Sequence, residues 1–107
     1  MRAWDIFSYQ PHGWPEPHPA VVVSHPGRVA NKPTVNVLMC TSKRANRSPG
    51  PNEVLLDEND GLDWPTLCRC DLLYLAQKTE LTNLRGTVTA ERKRAIIETI
   101  NVANGWR

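Results

Sequence analysis

Prolines and glycines punctuate the first two thirds of this sequence so closely that only short regular elements fit between them. They fall at Pro11, Gly13, Pro15, Pro17 and Pro19, then at Pro26, Gly27 and Pro33, then at Pro49, Gly50 and Pro51. Proline removes a backbone donor and fixes φ, and glycine costs extra entropy to order, so each cluster ends an element. The runs between them are of strand type. Trp4 to Tyr9 alternates loosely, and Ala20 to Ser24 is a β-branched run. Thr34 to Thr41 places Val35, Val37 and Met39 on one face and Leu38 and Cys40 on the other. A fourth run is Glu53 to Leu56. A fifth extends from Thr66 to about Lys78, with Cys68, Cys70, Leu72 and Tyr74 at a period of two and a bulge or break near Asp71. Five strands in this spacing predict a small twisted sheet or barrel.

The last third changes period. Thr89 is a good N-cap, Glu91 favours the positive end of a helix dipole, and Ile96, Ile100 and Ala103, flanked by Ile97, fall on one face at i, i+4 and i+7. Arg92, Lys93 and Glu98 occupy the other side. Asn104 and Gly105 provide a stop, after which Trp106 can fold back onto the body. The expected fold class is therefore mainly β (α+β), one amphipathic C-terminal helix on a small barrel. With 107 residues and no internal repeat, residues 1–107 form a single unit, which excludes a two-domain enzyme. Apolar residues at 40% and charged residues at 22% are ordinary globular values. The longest apolar runs, Ala20 to Val23 and Leu72 to Ala76, are far below the roughly 18 residues of a membrane-spanning helix. Trp4 and Asp5 stand where an export signal would carry basic and then apolar residues, so a cytoplasmic protein is expected.

Three cysteines cannot all pair, and Cys68 and Cys70 are too close in an extended chain to bridge each other without distortion. Reduced core thiols are expected. Cys40, Cys68 and Cys70 with His12, His18 and His25 lack the close-spaced pairs of a metal site, so neither metal nor cofactor is expected. Charge is segregated along the chain. Between Glu16 and Glu53 there is no acidic residue, while Arg28, Lys32, Lys43, Arg44 and Arg47 lie there; Glu53, Asp57, Glu58, Asp60 and Asp63 then follow without a cation until Arg69. Either a basic face meets a phosphate backbone, or these are solvated loops whose charges cancel in space.

Several segments, taken in order, resemble the MazF/PemK toxin family, the RNA-cutting halves of bacterial toxin–antitoxin pairs. They are Trp4-Asp5-Ile6, a loop containing Gly13, Pro19-Ala20-Val21-Val22-Val23-Ser24, Cys40-Thr41-Ser42-Lys43, Glu53-Val54-Leu55-Leu56, Cys70-Asp71, and Gly86-Thr87-Val88-Thr89 leading to Ile100-Asn101-Val102. The resemblance covers nearly the whole chain and rests on the ordered set, each segment being common by itself. It implies a small Src-homology-3-like barrel of the CcdB/MazF/PemK type with a C-terminal helix, a homodimer with a groove across both subunits, and an acidic antitoxin as partner. The family's catalytic Thr at the end of the third strand is matched by Thr41. Its catalytic Arg, directly before the Pro of the second strand, is replaced: the loop reads Gly13-Trp14-Pro15-Glu16-Pro17-His18-Pro19, shorter than usual and with His18 in that place. Leu72 also stands where many members have a Gln.

Cutting RNA with side chains alone requires deprotonating a ribose 2′-hydroxyl, stabilising charge on the phosphorus and protonating the leaving 5′-oxygen. An Arg brings charge and paired donors to phosphate, whereas a His is a base or an acid near neutral pH, so the replacement changes the chemistry. The resemblance thus implies catalytic roles for His18 and Thr41, the Thr41 hydroxyl donating to a phosphate oxygen. Positive charge would come from Lys43, Arg44 or Arg47, with Ser42 beside them, and Trp14 can stack on an unpaired base of single-stranded RNA. Each residue also has a structural alternative: His18 as a rigid-loop residue, Thr41 as a strand end, Trp14 as a packing anchor, and Lys43, Arg44 and Arg47 as a solvated loop. The expected function is a metal-independent endoribonuclease toxin. The competing class is a non-catalytic binder, since gyrase-poisoning CcdB toxins share this fold without RNA chemistry.

Overall fold

The computed structural model describes all residues, Met1 to Arg107. Six strands form one antiparallel sheet: β1 (Asp5–Tyr9), β2 (His18–Val22), β3 (Thr34–Cys40), β4 (Glu53–Leu56), β5 (Thr66–Gln77) and β6 (Thr82–Thr87). Two helices accompany it, α1 (Pro26–Asn31) and the C-terminal α2 (Ala90–Ala103). The strand order is β4-β5-β3-β2-β1-β6, so the sheet curls but leaves β4 and β6 as edges. No helix is long and apolar enough to cross a membrane.

Alternation along the strands sorts the apolar side chains into two cores, one on each face. Ile6, Val21, Leu38, Cys40, Leu56 and Cys68 pack on one face beneath Ile96 of α2. Val22, Val35, Val37 and Met39 pack on the other, where Val29 of α1 covers them. The split of β3 expected from its sequence, Val35, Val37 and Met39 against Leu38 and Cys40, is the observed one. Helix α2 starts as expected, with the Thr89 hydroxyl accepting from the Arg92 N–H at 3.3 Å. It ends at Asn104, before Gly105 with φ +69°. Burying Ile96 completely stabilises the helix on the sheet by roughly 1.5–3 kcal/mol. Trp106 stays 66% exposed, reaching only the rim of a groove beside Trp4, Leu73 and Ile97.

The irregularity expected near Asp71 is present. Leu38 opposes Leu73, but Cys40 opposes Cys68, so the segment between Arg69 and Leu72 loops out of register. The first half of β5 pairs with β4, from Thr66 opposite Leu56 to Arg69 opposite Glu53, and the second half pairs only with β3. The three cysteines are free and buried. Hydrogen bonding with Cys40 and burial raise the Cys68 thiol well above its ordinary value, and contact with Cys68 together with burial does the same to Cys70. They are core thiols, as expected.

Two elements depart from the sequence reading. Strand β6 is absent from the five expected, because Asn83 and Gly86 make Thr82–Thr87 read as a loop. The structure requires both: Asn83 takes φ +52°, and a Cβ on Gly86 would lie 2.0 Å from the Asp60 carbonyl oxygen. The one-and-a-half-turn helix α1 occupies what reads as a Pro-Gly turn, with Pro26 in its first turn and the His25 Nδ1 accepting from the Gly27 N–H at 2.9 Å.

Candidate functional site

Strand β2 begins two residues earlier than its β-branched run suggests, and the consequence falls on His18. In the β2–β3 ladder, Ala20 opposes Met39 and Val21 opposes Leu38, so Pro19 opposes Cys40. The Val23 N–H donates to the Asn36 carbonyl, which shows that the even-numbered residues of β3 aim their backbone groups at β2. The Cys40 carbonyl therefore points at Pro19, which has no N–H to give. The His18 Nδ1 takes that place, 2.8 Å from the Cys40 oxygen. A carbonyl only accepts, so Nδ1 carries the proton and the neutral ring keeps its lone pair on Nε2.

Trp14 fixes the ring from the side. Its indole stands edge-on to His18, with centroids 4.8 Å apart, and edge-on to Tyr74 of β5 at 5.6 Å. The turn that carries it is held by the Trp14 N–H to the Pro11 carbonyl, by the Gln10 side chain to the Trp14 carbonyl, and by Gly13 at φ +86°. Trp14 is thus a packing anchor whatever else it contacts.

Thr41 directly follows Cys40 at the end of β3. Its hydroxyl accepts from the Leu67 N–H at 3.0 Å, its own N–H donates to the Leu67 carbonyl, and its carbonyl accepts from the Thr66 hydroxyl at 3.3 Å. The Thr41 hydroxyl hydrogen remains free to donate. Ser42 donates to Glu16 at 2.7 Å, which ties the Trp14 loop to the end of β3. An open cleft of about 310 Å³ lies beside Thr41, lined by Lys43, Arg44, Asn46, Arg47 and Leu67.

Six of the seven residues singled out in the sequence thus gather around the end of β3: Trp14, His18, Thr41, Ser42, Lys43 and Arg44. Lys43 and Arg44 are exposed and make no ion pair. Arg47 lines the same cleft but is committed elsewhere. It forks both Glu53 carboxylate oxygens at 2.6 and 2.8 Å, and with the Gly50 N–H it closes the Pro-Gly loop onto β4. That fork raises the Arg47 pKa and holds Glu53 at about 2. Across the molecule, burial would raise the Asp57 carboxyl, but the Asn59 N–H and then Arg92, bound to it at 2.9 Å, hold it below its ordinary value. The acidic run is therefore partly cancelled in space, while Lys43 and Arg44 are not. Two neighbours of the site escape the sequence reading. Glu16, the lone carboxylate of its loop, is visible there only as the start of the acid-free stretch, and Tyr74 reads as one apolar residue in a period of two.

The geometry and the sequence can be set beside known proteins. Residues 5–103 match the family described as PemK-like, MazF-like toxin of type II toxin-antitoxin system. The chain belongs to that family. Its fold is shared with a mycobacterial endoribonuclease solved in complex with its cognate antitoxin, at 20% identity and a TM-score of 0.83, covering 100% of this chain and 97% of the other. It is shared likewise with the Mycobacterium tuberculosis toxin MazF-mt6, at 21% identity and a TM-score of 0.78, covering 94% and 96%. A MazE-MazF complex from Deinococcus radiodurans matches at 16% identity and a TM-score of 0.73, covering 98% and 95%. In this member of the family the His18 imidazole is oriented by the backbone of the chain's own β3 strand.

Proposed function

We propose that this PemK/MazF toxin is an endoribonuclease that cuts single-stranded RNA using its own side chains, acts as a homodimer in the cytoplasm, and is silenced by an acidic antitoxin. The observation that carries this reading is His18: its Nδ1–H is pinned to Cys40 and its Nε2 lone pair is available, one residue along the backbone from Thr41 and the Lys43–Arg44 cleft. Nε2 takes the 2′-hydroxyl proton, the 2′-oxygen bonds to phosphorus, and the bond to the 5′-oxygen breaks, that oxygen taking a proton from water. The Thr41 hydroxyl donates to a non-bridging oxygen, and Lys43 and Arg44 offset the developing charge. Arg47 supports the loop, its charge already neutralised by Glu53. The same exposed cations suit an acidic, disordered antitoxin segment that folds on the surface and covers the RNA site.

Incubation of the purified protein with a long RNA in chelator tests the reaction. Cleavage should persist, leave a cyclic phosphate, and stop when deoxyribose replaces ribose at the cut position. His18→Gln, which keeps a donor for Cys40 but cannot titrate, should slow cleavage by about 100-fold or more. Intact RNA under all conditions would instead favour a non-catalytic binder on this fold, and an unchanged rate in folded His18→Gln would move the chemistry to Lys43 and Arg44.

A further inference from the structure

The largest cavity of the protein, open and about 610 Å³, is bounded by Ser8, Leu62, Asp63, Asn83, Leu84 and Arg85. It exists because β6 is too long for its partner. Ile6 opposes Gly86 but Ser8 opposes Thr82, so β6 carries two residues more than β1 over this interval, and Asn83 absorbs part of the excess at φ +52°. The bulge brings Arg85 to one wall, and the loop after Gly61 brings Asp63 to another. The walls are fixed against each other: Gly86 lies against the backbone of Asp60 and Gly61, and the Asp60 carboxylate accepts from the Asp57 and Thr89 N–H groups. Asp63 and Arg85 nonetheless form no ion pair, with each other or elsewhere. Leu62, 5% exposed, and Leu84, 62% exposed, add apolar surface beside them. A carboxylate and a guanidinium held apart across one cavity suit a ligand that offers paired donors to the first and paired acceptors to the second.

We propose that this cavity binds an unpaired guanine base. An ionised carboxylate only accepts, and its two oxygens match two adjacent donors; a guanidinium only donates, and its fork matches two adjacent acceptors. Guanine carries both sets, N1–H and N2–H on its Watson–Crick edge and O6 and N7 on the adjoining edge. Adenine, cytosine and uracil each lack two adjacent donor atoms. Asp63 therefore takes N1–H and N2–H, Arg85 takes O6 and N7, and Leu84 packs on the ring face. The base comes either from an RNA strand or from a free guanine nucleotide, and the position favours the strand. Tyr9, next to Ser8, opposes His18, and the Ala45 N–H of the Thr41 cleft donates to the carbonyl of Pro65, two residues from Asp63. Strands β2 and β6 are two strand spacings apart, ~10 Å. Successive residues of β1 point to opposite faces, so a strand cut at His18 passes over the end of β1 and places a flanking nucleotide, not the cut one, in the cavity. For that source the inference rests on the nuclease reading above and adds a sequence preference to it.

Titration of the full chain with guanosine 5′-monophosphate in the millimolar range, followed by amide chemical shifts, tests the base itself. The Gly61, Asp63, Asn83 and Arg85 amides should shift with the guanine nucleotide and not with the adenine, cytosine and uracil ones, which carry the same phosphate. Asp63→Asn, which exchanges an acceptor for a donor at an exposed residue, should weaken guanine binding by about tenfold or more, while Glu58→Gln, at an exposed carboxylate outside the cavity, should leave it unchanged. Sequencing the ends of a long RNA cut by the wild type should show guanine enriched at one fixed position beside the cut, and Asp63→Asn products should lack that enrichment. Guanine-selective shifts without enrichment, on RNA that is cut, support the cavity and assign it to a free nucleotide. Guanine-selective shifts with the RNA left intact support the cavity and count against the nuclease alone. Equal shifts with all four nucleotides, the mark of phosphate on Arg85 only, or no shift with any, overturn the proposal unless the cut ends carry a guanine enrichment that Asp63→Asn removes. An enrichment that survives Asp63→Asn overturns its assignment to this cavity.

Discussion

Combining His18→Leu with Pro19→Ala should give a large, signed coupling energy. Cys40 is 2% exposed and its carbonyl faces a proline, so the His18 Nδ1–H at 2.8 Å is its donor. His18→Leu removes that donor while keeping a side chain for Trp14 to pack on, and an unpaired buried carbonyl costs about 1–3 kcal/mol. At this size that lowers Tm by about 4–8 °C for each kcal/mol. Pro19→Ala alone changes little. It loosens the unfolded chain at a cost of about 0.4–1 kcal/mol but adds the N–H the ladder lacked. In the Pro19→Ala background the new amide satisfies Cys40, so His18→Leu should cost at least about 1 kcal/mol less than in the wild type. Thermal and urea unfolding measure the cycle at one protein concentration, fixed because a dimer makes Tm concentration-dependent. Equal cost of His18→Leu in both backgrounds, within about 0.5 kcal/mol, would refute the reasoning. Nitrogen chemical shifts of the imidazole check its other half: wild-type His18 should carry its neutral-form proton on Nδ1.

Thr41→Val should lower both activity and stability, because the hydroxyl also receives the Leu67 N–H; the stability loss is about 1–3 kcal/mol, and cleavage must be compared per folded molecule. The Glu53 carboxyl, held at about 2 against an ordinary 4.5, adds stability that is full above pH 4.5 and disappears as pH falls through 2. Melting curves of wild type and Glu53→Gln should therefore converge across that window, and a constant gap would show that the Arg47 fork is not the cause. Gly86→Ala drives a Cβ to 2.0 Å from the Asp60 carbonyl, displacing the turn whose Asp60 side chain accepts from Asp57 and Thr89. Overpacking against backbone should cost about 1–3 kcal/mol in chemical denaturation, and a neutral result would mean that the turn is mobile.

Where the sequence is informative, a periodic pattern coincides with burial. The faces of β3, the period of β5 and the helix from Thr89 are readable because each apolar residue lies where a period of two or 3.6 requires it. Strand β6 is not readable for the converse reason: its Thr82, Asn83, Leu84 and Arg85 are exposed or half-buried, and its existence depends on β1 alongside and on the Asp60 turn beneath Gly86. Helix α1 is equally non-local, a single buried Val29 fastening one and a half turns onto the second face of the sheet.

The site shows the same division, with one inversion. Thr41, Lys43 and Arg44 can be found as near neighbours in the chain, whereas the Arg47–Glu53 fork, which neutralises one cation of the cleft, depends on how the Pro-Gly loop closes. Pro19 reads as a strand breaker, and His18 beside it as a rigid-loop residue. In the ladder the two are one device: the proline deletes an N–H, the deletion leaves the Cys40 carbonyl open, and the opening orients an imidazole that would otherwise be free in solvent. An Arg at this position could fill the same carbonyl only by turning its charge away from a phosphate. A His can fill it with one nitrogen and still present the other, so the proline that follows gives the histidine a specific backbone partner.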